Sequence, residues 1–265
     1  MGEKILDLLF PENIYCISCG SIIDATRPYS LCDDCVRRFG WVGKDTCEKC
    51  GKPIEADGVP GLRMRKRCYD CMQTAHVFDR GFTCCGYGLY ERLLISDYKE
   101  GGHTYLGKTI GRMMADRWRY AKSELREDLA EETDGTVDVL TAVPSDAVKI
   151  RQRGFDQMGI VAKEVSMKTG IPYAPQLLAK KAGARAMRGL SGPERRSNVR
   201  GKYYVPEESR EDAAGKRVLL LDDIYTTGST VDECAKALKA AGAEAVFVLT
   251  FAAGGDRPTW EESEE

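Results

Sequence analysis

The sequence predicts an α/β protein in which a parallel β-sheet flanked by helices follows a small cysteine-rich module. Eight cysteines form four C-x-x-C pairs near the N-terminus. Apolar runs of strand length then alternate with helix-like segments, which is typical of a parallel sheet. One such run, Val218–Leu221, leads into two adjacent carboxylates, a turn of small hydroxyl residues and glycine, and an amphipathic helix.

Length and composition favour two parts. The chain has 265 residues, enough for one α/β domain and a small appended module. Residues 1–76 are rich in cysteine and poor in long apolar runs, so we expect this segment to need metal in order to fold. We predict a second domain over residues 77–256 and an acidic, disordered tail over residues 257–265.

We interpret the cysteine pairs as the ligands of two structural zinc sites. The pairs are Cys16/Cys19, Cys32/Cys35, Cys47/Cys50 and Cys68/Cys71. Gly20 and Gly51 follow two of them, as in knuckles where two thiolates converge on a tight turn. Eight thiolates complete two closed Cys₄ sites with no open position for a substrate. Sequential pairing of neighbouring knuckles is favoured, and the spacing alone leaves a cross-brace open.

Disulfide bonds are the alternative use of so many cysteines. The sequence shows neither a signal peptide nor an apolar stretch of membrane-spanning length. We therefore expect a cytoplasmic protein without membrane insertion, in which thiols stay reduced and repeated C-x-x-C pairs bind metal. A redox pair is less favoured because all four pairs lie in one block. Cys84, Cys85 and Cys234 have apolar neighbours and are expected in the core.

The remaining elements follow from hydrophobic periodicity. In chain order we predict a strand over residues 82–87, helices over 89–98 and 106–121, an acidic, solvated helix end and loop over 124–138, a strand over 137–143, a helix over 156–169, a basic loop, the strand and helix around the acidic pair, and a last strand over 245–252.

The acidic pair and the turn after it predict a phosphosugar site. Free N–H groups and hydroxyls at a helix N-terminus bind anions, and the turn offers them from Thr226, Thr227, Gly228, Ser229 and Thr230. Asp222 and Asp223 would hold the ribose hydroxyls and favour a nearby Mg²⁺. A merely capped helix is the alternative, but two carboxylates ending an apolar strand need a partner. The run resembles the motif of type I phosphoribosyltransferases that binds 5-phosphoribosyl 1-pyrophosphate (PRPP).

Charge is concentrated in the middle of the chain. The formal net charge is −2, which excludes a uniformly basic nucleic-acid binder. Residues 146–202 nevertheless hold thirteen lysines and arginines against four acids. Ligands bind at the carboxyl ends of parallel strands, so the cations after the strand over 137–143 would neutralise pyrophosphate: Lys149, Arg151 and Arg153. The same patch suits a nucleic-acid backbone, as does a short run of cations from Arg63 to Arg67.

Further motifs resemble those of ComF-type proteins. Val143-Pro144-Ser145 with Arg153–Gln157 is similar to their VP…RGFNQ motif, and Leu190 with Arg195–Gly201 to their basic segment. Tyr98–Gly102 resembles their lysine-glycine turn. With the cysteine array and the apolar lead-in from Ile5 to Pro11, the resemblance covers nearly the whole chain. The sequence is therefore identified as a member of the ComF family.

This resemblance implies a type I phosphoribosyltransferase-like sheet behind a double zinc ribbon. It also implies a part in DNA uptake during natural transformation, on single-stranded DNA in the cytoplasm, with helicase-like and recombination-mediator partners. PRPP with Mg²⁺ is the expected small ligand, and Arg185 and Arg188 are candidates for a hood over it. Phe155, Tyr203 and Tyr204 are candidates for base stacking.

Two alternatives stay open beside a DNA-uptake factor. The first alternative is a phosphoribosyltransferase that transfers ribose 5-phosphate to an unknown acceptor. The second is a zinc-ribbon interaction module on a scaffold domain. The basic cluster disfavours the scaffold, and the intact acidic pair keeps the transferase open. The sequence does not decide between catalysis and binding alone, since no segment shows the residues that would recognise the edge of a nucleobase acceptor.

Overall fold

A four-stranded parallel sheet in the order β1–β6–β5–β2 forms the centre of the protein, and a two-stranded antiparallel sheet pairs β3 with β4. The computed structural model describes residues 14–54, 66–128, 137–181 and 192–256. The strands are β1 (Arg80–Gly86), β2 (Val139–Ala142), β3 (Ala179–Lys180), β4 (Tyr203–Tyr204), β5 (Arg217–Tyr225) and β6 (Ala245–Ala253).

Helices connect these strands and cover the sheet. They are α1 (Asp33–Arg38), α2 (Tyr69–Gln73), α3 (Leu89–Glu100), α4 (Tyr105–Asp128), α5 (Ala147–Arg153), α6 (Gln157–Thr169), α7 (Gly192–Val199), α8 (Arg210–Ala213) and α9 (Ser229–Ala240). None of the helices in the described ranges is long and apolar enough to cross a membrane.

The central strand β5 extends further than the sequence pattern indicates. Its residues Val218–Leu221 are fully buried, as in a strand covered on both faces. The strand does not end there, because β6 supplies partners as far as Ala253, which pairs with Tyr225. Asp222 therefore lies within the strand, opposite Thr250 of β6, and the strand continues for two residues beyond the acidic pair.

Two cores cover the two faces of the sheet. Helices α4 and α6 pack on one face, where Trp118 is 1% exposed. Helix α9 packs on the other face together with the cysteines of the second cluster. The three remaining cysteines are buried, as expected, and burial raises the pKa of Cys84 to about 12.

The cysteine module is joined to the sheet through β1, which is an edge strand. Trp41 forms an antiparallel bridge with Cys85, and the Val42 N–H donates to the Cys84 carbonyl at 3.0 Å. At the second knuckle, a Cβ on Gly51 would lie 2.4 Å from the backbone oxygen of Gly81. The backbone of the cysteine module therefore packs against the backbone of β1 and covers the sheet edge that β1 would otherwise expose.

The basic segment contains elements that periodicity did not reveal. Helix α5 carries Lys149, helix α7 follows later, and β3 and β4 form a small antiparallel pair. These elements are short and polar, so they lack the apolar repeat by which a helix or strand is recognised. Gly154, at φ 80°, ends α5 in a left-handed conformation and turns the chain into α6.

Candidate functional site

The acidic pair lies near the carboxyl end of β5 and is partly exposed. The Asp223 N–H donates to Asp222 Oδ1 at 2.9 Å. Burial, followed by the negative charge of Asp223, raises the pKa of Asp222 to about 8. The Asp222 carboxyl is therefore protonated more readily than an ordinary aspartate, and nearby positive charge opposes this shift.

The turn after β5 leaves backbone N–H groups available to an anion. Gly228 has φ 73° and precedes α9, whose first-turn amides have no partner within the helix. The hydroxyls of Thr227 and Ser229 lie 2.7 Å apart. A small pocket is lined by Asp222 and the residues from Ile224 to Val231. Amides, hydroxyls and the helix dipole converge there, which is the arrangement that binds phosphate.

Cations from two other elements act on the acidic pair, and two further cations on α5 lie near them. Lys99, in the last turn of α3, forms an ion pair with Asp223. Partial desolvation, followed by the positive charges of Arg153, Lys180 and Lys99, lowers the pKa of Lys149. The charges of Lys99 and Lys180 also act on Asp222. Four cations therefore share one electrostatic environment at this end of the sheet.

The structure separates the three basic residues that the sequence assigned to pyrophosphate. Lys149 and Arg153 are four residues apart on α5 and share a face of the helix. Arg151 is exposed and lies about 200° around the helix from Lys149. Arg153 also donates to Gln157 Oε1 at 2.6 Å. Arg151 stays a predicted ligand without a described contact to the others.

Lys99 and Lys180 were not assigned to the site by sequence reasoning. Lys99 belongs to the motif Tyr98–Gly102, which the sequence comparison singled out without indicating what the lysine binds. Lys180 was only one member of the basic cluster. Both are far from the acidic pair along the chain, and only the sheet topology brings them to it. The proposed hood residues, Arg185 and Arg188, lie outside the described residues.

A second basic surface follows the β3–β4 pair. Lys181 and Arg200 are exposed there, and Lys181 Nζ lies 5.9 Å from the ring centroid of Tyr204, which is 42% exposed. Tyr203 is 8% exposed, which leaves it no face for a base. Phe155 packs against Tyr98 at a centroid distance of 5.7 Å. Of the three aromatic candidates, Tyr204 is the one open to stacking.

The short basic run of the cysteine module is described only in part. Arg63 and Arg65 lie outside the described residues, and Lys66 pairs with Glu48 at 3.2 Å. Arg67 is exposed. The structure therefore describes two cations of this run, and one of them forms an ion pair.

The eight module cysteines form two clusters. Cys16, Cys19, Cys32 and Cys35 make the first, Cys47, Cys50, Cys68 and Cys71 the second, and in each the four Sγ atoms lie within 4.8 Å of one another. Neighbouring knuckles therefore pair sequentially and not as a cross-brace. Sulfurs at the corners of a zinc tetrahedron are about 3.8 Å apart, given Zn–S bonds of about 2.3 Å. The distances between sulfurs of different knuckles, 3.8 Å for Cys19–Cys32 and 3.6 Å for Cys50–Cys68, fit this geometry.

The two clusters differ in exposure. Cys19 is exposed, and hydrogen bonds from Ser21, whose hydroxyl lies 3.1 Å from its sulfur, lower the pKa of Cys19 to about 6. All four cysteines of the second cluster are buried. The first cluster is open to solvent on one side, whereas the second is part of the protein core.

Family models cover both parts of the chain. Residues 5–88 match a double zinc ribbon domain, and residues 127–263 match a phosphoribosyl transferase domain. The matches agree with the cysteine clusters and with the parallel sheet that carries the acidic pair. The second match spans more than half of the chain.

Curated relatives match over most of their length. Competence protein F of Haemophilus influenzae is 24% identical over 243 residues, covering 91% of this chain and 97% of that protein. Competence protein ComFC of Streptococcus pneumoniae is 25% identical over 256 residues, covering 89% and 98%. DNA utilization protein YhgH of Escherichia coli O157:H7 is 23% identical over 220 residues, covering 83% and 88%.

Proposed function

Because this chain belongs to the phosphoribosyltransferase family and carries the double zinc ribbon of ComF-type proteins, we propose that it binds Mg²⁺·PRPP at the carboxyl end of β5. We further propose that it binds single-stranded DNA on the adjoining basic surface and takes part in DNA uptake or use. Its location would be the cytoplasm, where helicase-like and recombination-mediator proteins are the expected partners.

One observation carries the PRPP proposal. Two carboxylates, an amide-rich turn and four cations converge at one end of a parallel sheet, where α/β proteins bind their ligands. Each group has a matching part in a pyrophosphorylated sugar phosphate. The turn Thr226–Thr230 would hold the 5′-phosphate, and Asp222 and Asp223 would hold the ribose hydroxyls.

The cations would act on the pyrophosphate. Lys99, Lys149, Arg153 and Lys180 offer positive charge on the side of the acidic pair, and Mg²⁺ would neutralise part of the remaining negative charge. As Lys99 moves from Asp223 to the pyrophosphate, the carboxylate would become free for a ribose hydroxyl. Binding thus exchanges an internal ion pair for two contacts with the ligand.

The DNA proposal rests on independent support. The relatives include two competence proteins and a DNA utilization protein. An exposed tyrosine with cations beside it is the element from which sequence-tolerant single-strand sites are built, and Tyr204 with Lys181 provides it. The zinc ribbons would be structural, since closed Cys₄ sites leave no position for a ligand.

Two binding measurements test the proposal. Calorimetry with Mg²⁺·PRPP should give a saturable signal that disappears in Asp222→Asn/Asp223→Asn, while the zinc content of that variant stays at two per chain. Retained PRPP affinity in the double variant would refute the site. Fluorescent single-stranded DNA, titrated at two salt concentrations with and without Mg²⁺·PRPP, tests the second ligand and any coupling between the two.

A transferase is the second candidate function. Asp222 and Asp223, near the end of β5, would stabilise the positive charge that develops on ribose as pyrophosphate leaves, which a pure binding protein does not require. The acceptor is unknown. Release of pyrophosphate from Mg²⁺·PRPP, screened with bases, amines and DNA ends as acceptors, would distinguish turnover from binding alone.

A further inference from the structure

The second cysteine cluster belongs to the same core as the turn assigned to the 5′-phosphate. All four of its cysteines share a buried cluster of side chains with Tyr225 and Val231, which flank that turn. The buried cysteines of the first cluster, Cys16 and Cys35, belong to the opposite core. The two metal-binding knuckle pairs are therefore not equivalent in their relation to the turn.

Tyr225 packs with the side chains around the second cysteine cluster and directly precedes the turn. Its ring lies edge-on to Phe78 at a centroid distance of 6.3 Å. On the module side, Lys52 Nζ lies 5.9 Å from the Tyr225 ring centroid. Lys52 is 4% exposed, and its Nζ donates to Asp70 Oδ2 at 2.6 Å, so the ammonium is held in place. Asp70 directly precedes Cys71 in the sequence, and Lys52 follows Cys50 by two residues.

His76 connects the hydroxyl of Tyr225 to the first turn of α9. Its Nδ1 lies 2.6 Å from Asp232 Oδ2, and its Nε2 lies 3.3 Å from Tyr225 Oη. The other carboxylate oxygen of Asp232 accepts from the Val77 N–H at 2.9 Å. A carboxylate only accepts, so Nδ1 is the donor, and in the neutral ring Nε2 accepts from the tyrosine hydroxyl. This chain of hydrogen bonds fixes the orientation of the Tyr225 ring.

The chain of contacts reaches the turn at Gly228. A Cβ on Gly228 would lie 2.4 Å from Tyr225 Oη and 3.0 Å from His76 Cε1. The glycine is thus pressed against both side chains in a left-handed conformation, at φ 73°. The side chains of Tyr225 and His76 therefore pack directly against the turn at Gly228.

We propose that Tyr225 and His76 are positioning residues, backed by the second cysteine cluster, that hold the Gly228 turn in the geometry that binds phosphate. This inference rests on the proposed function of the turn. It assigns the two zinc ribbons different duties, because only the second one supports the ligand site. It also explains why a histidine lies fully buried between a carboxylate and a tyrosine without being a metal ligand.

A pair of tyrosine variants tests this role. Tyr225→Phe removes the hydroxyl and keeps the ring. Tyr29→Phe is the matched control, since the hydroxyl of Tyr29, which lies between the two cysteine pairs of the first cluster in the sequence, donates to Asp116 Oδ2 on α4 at 2.8 Å. Tyr225→Phe should speed hydrogen exchange at the amides of residues 226–231 and weaken Mg²⁺·PRPP binding by about fivefold, the worth of one hydrogen bond. Tyr29→Phe should change neither. His76→Gln keeps an acceptor and should perturb the turn less than His76→Ala.

The two measurements separate this inference from the function on which it rests. If the wild-type protein binds no PRPP, the proposed function fails. Amide hydrogen exchange at the turn in Tyr225→Phe still tests whether Tyr225 positions the turn. Unchanged exchange at the turn in Tyr225→Phe would overturn the inference. A uniform loss of protection across β5 and α9, in place of a local one, would overturn it as well, because it would show a general loss of stability.

Discussion

Lys99, in the last turn of α3, forms an ion pair with Asp223, near the end of β5. Both side chains are partly buried, so the pair is less screened than a surface salt bridge. The ion pair occupies the Asp223 carboxylate, which we propose to hold a ribose hydroxyl when the ligand binds. A ligand with its own negative charge must either displace Lys99 from Asp223 or recruit it.

The first prediction concerns this lysine. Lys99→Met should weaken Mg²⁺·PRPP binding by about tenfold or more, because a hydrogen bond to a charged group contributes about 1.5–3 kcal/mol. Lys163→Met removes an exposed lysine on α6 and is the control. Calorimetry measures both affinities. Equal affinities would show that Lys99 does not contact the ligand.

The second prediction concerns stability and pH in the absence of ligand. The pKa of Asp222 is about 8 in the folded protein against an ordinary value of 3.8. Between these values the unfolded chain is ionised at this residue and the folded protein is protonated, so unfolding releases a proton and rising pH lowers stability. The loss occurs between about pH 4 and 8. The wild-type protein should therefore lose at least about 1 kcal/mol relative to Asp222→Asn across this window.

Urea unfolding from pH 5 to 9 checks this dependence. The difference in unfolding free energy between wild type and Asp222→Asn should change steadily up to about pH 8 and then level off. Asp212→Asn, at an exposed position on α8, is the control variant. A difference that does not vary with pH would mean that Asp222 is ionised throughout.

The third prediction concerns DNA. Lys181→Gln/Arg200→Gln should weaken binding of single-stranded DNA irrespective of sequence and reduce the slope of log affinity against log salt by about 1.4, since each phosphate contact contributes about 0.7. Lys163→Gln/Lys168→Gln removes two exposed charges from α6 and controls for net charge. Fluorescence anisotropy at several salt concentrations gives the slope. If both double variants lose the same slope, the surface around β3 and β4 is not the DNA site.

The fourth prediction concerns zinc. A chromophoric chelator should remove one equivalent quickly and the second at least several-fold more slowly, because Cys19 of the first cluster is exposed and the second cluster is buried. Cys19→Ser should abolish the fast phase and leave the slow one. Release of both equivalents in a single phase would show that the module opens as one unit.

The sequence supported the fold better than the site. The strand Val218–Leu221 and the cysteine knuckles were recognisable because apolar runs and C-x-x-C spacing are local signals. The extension of β5 to Tyr225 depends on pairing with β6, which no local pattern encodes. The domain limits at residues 76 and 256 stay predictions.

The site was recognised through one segment and completed only by tertiary structure. Asp222 and the turn are contiguous, so their pattern could be interpreted directly. Lys99 and Lys180 reach the pair from separate elements, and a single lysine carries no signal of its partner. His76 is far from Tyr225 and Asp232 along the chain, and only its contacts with them give it a specific role.

The pairing of Trp41 and Val42 with β1 has a consequence for how the chain can be divided. If the protein is cut at residue 76, where the composition changes, β1 loses its neighbour on one side and offers a row of unpaired amides and carbonyls. Such an edge is a template for a strand from another molecule. The cysteine module therefore also acts as a guard against self-association, and the sheet domain released from it should form aggregates even with every ligand-binding residue intact.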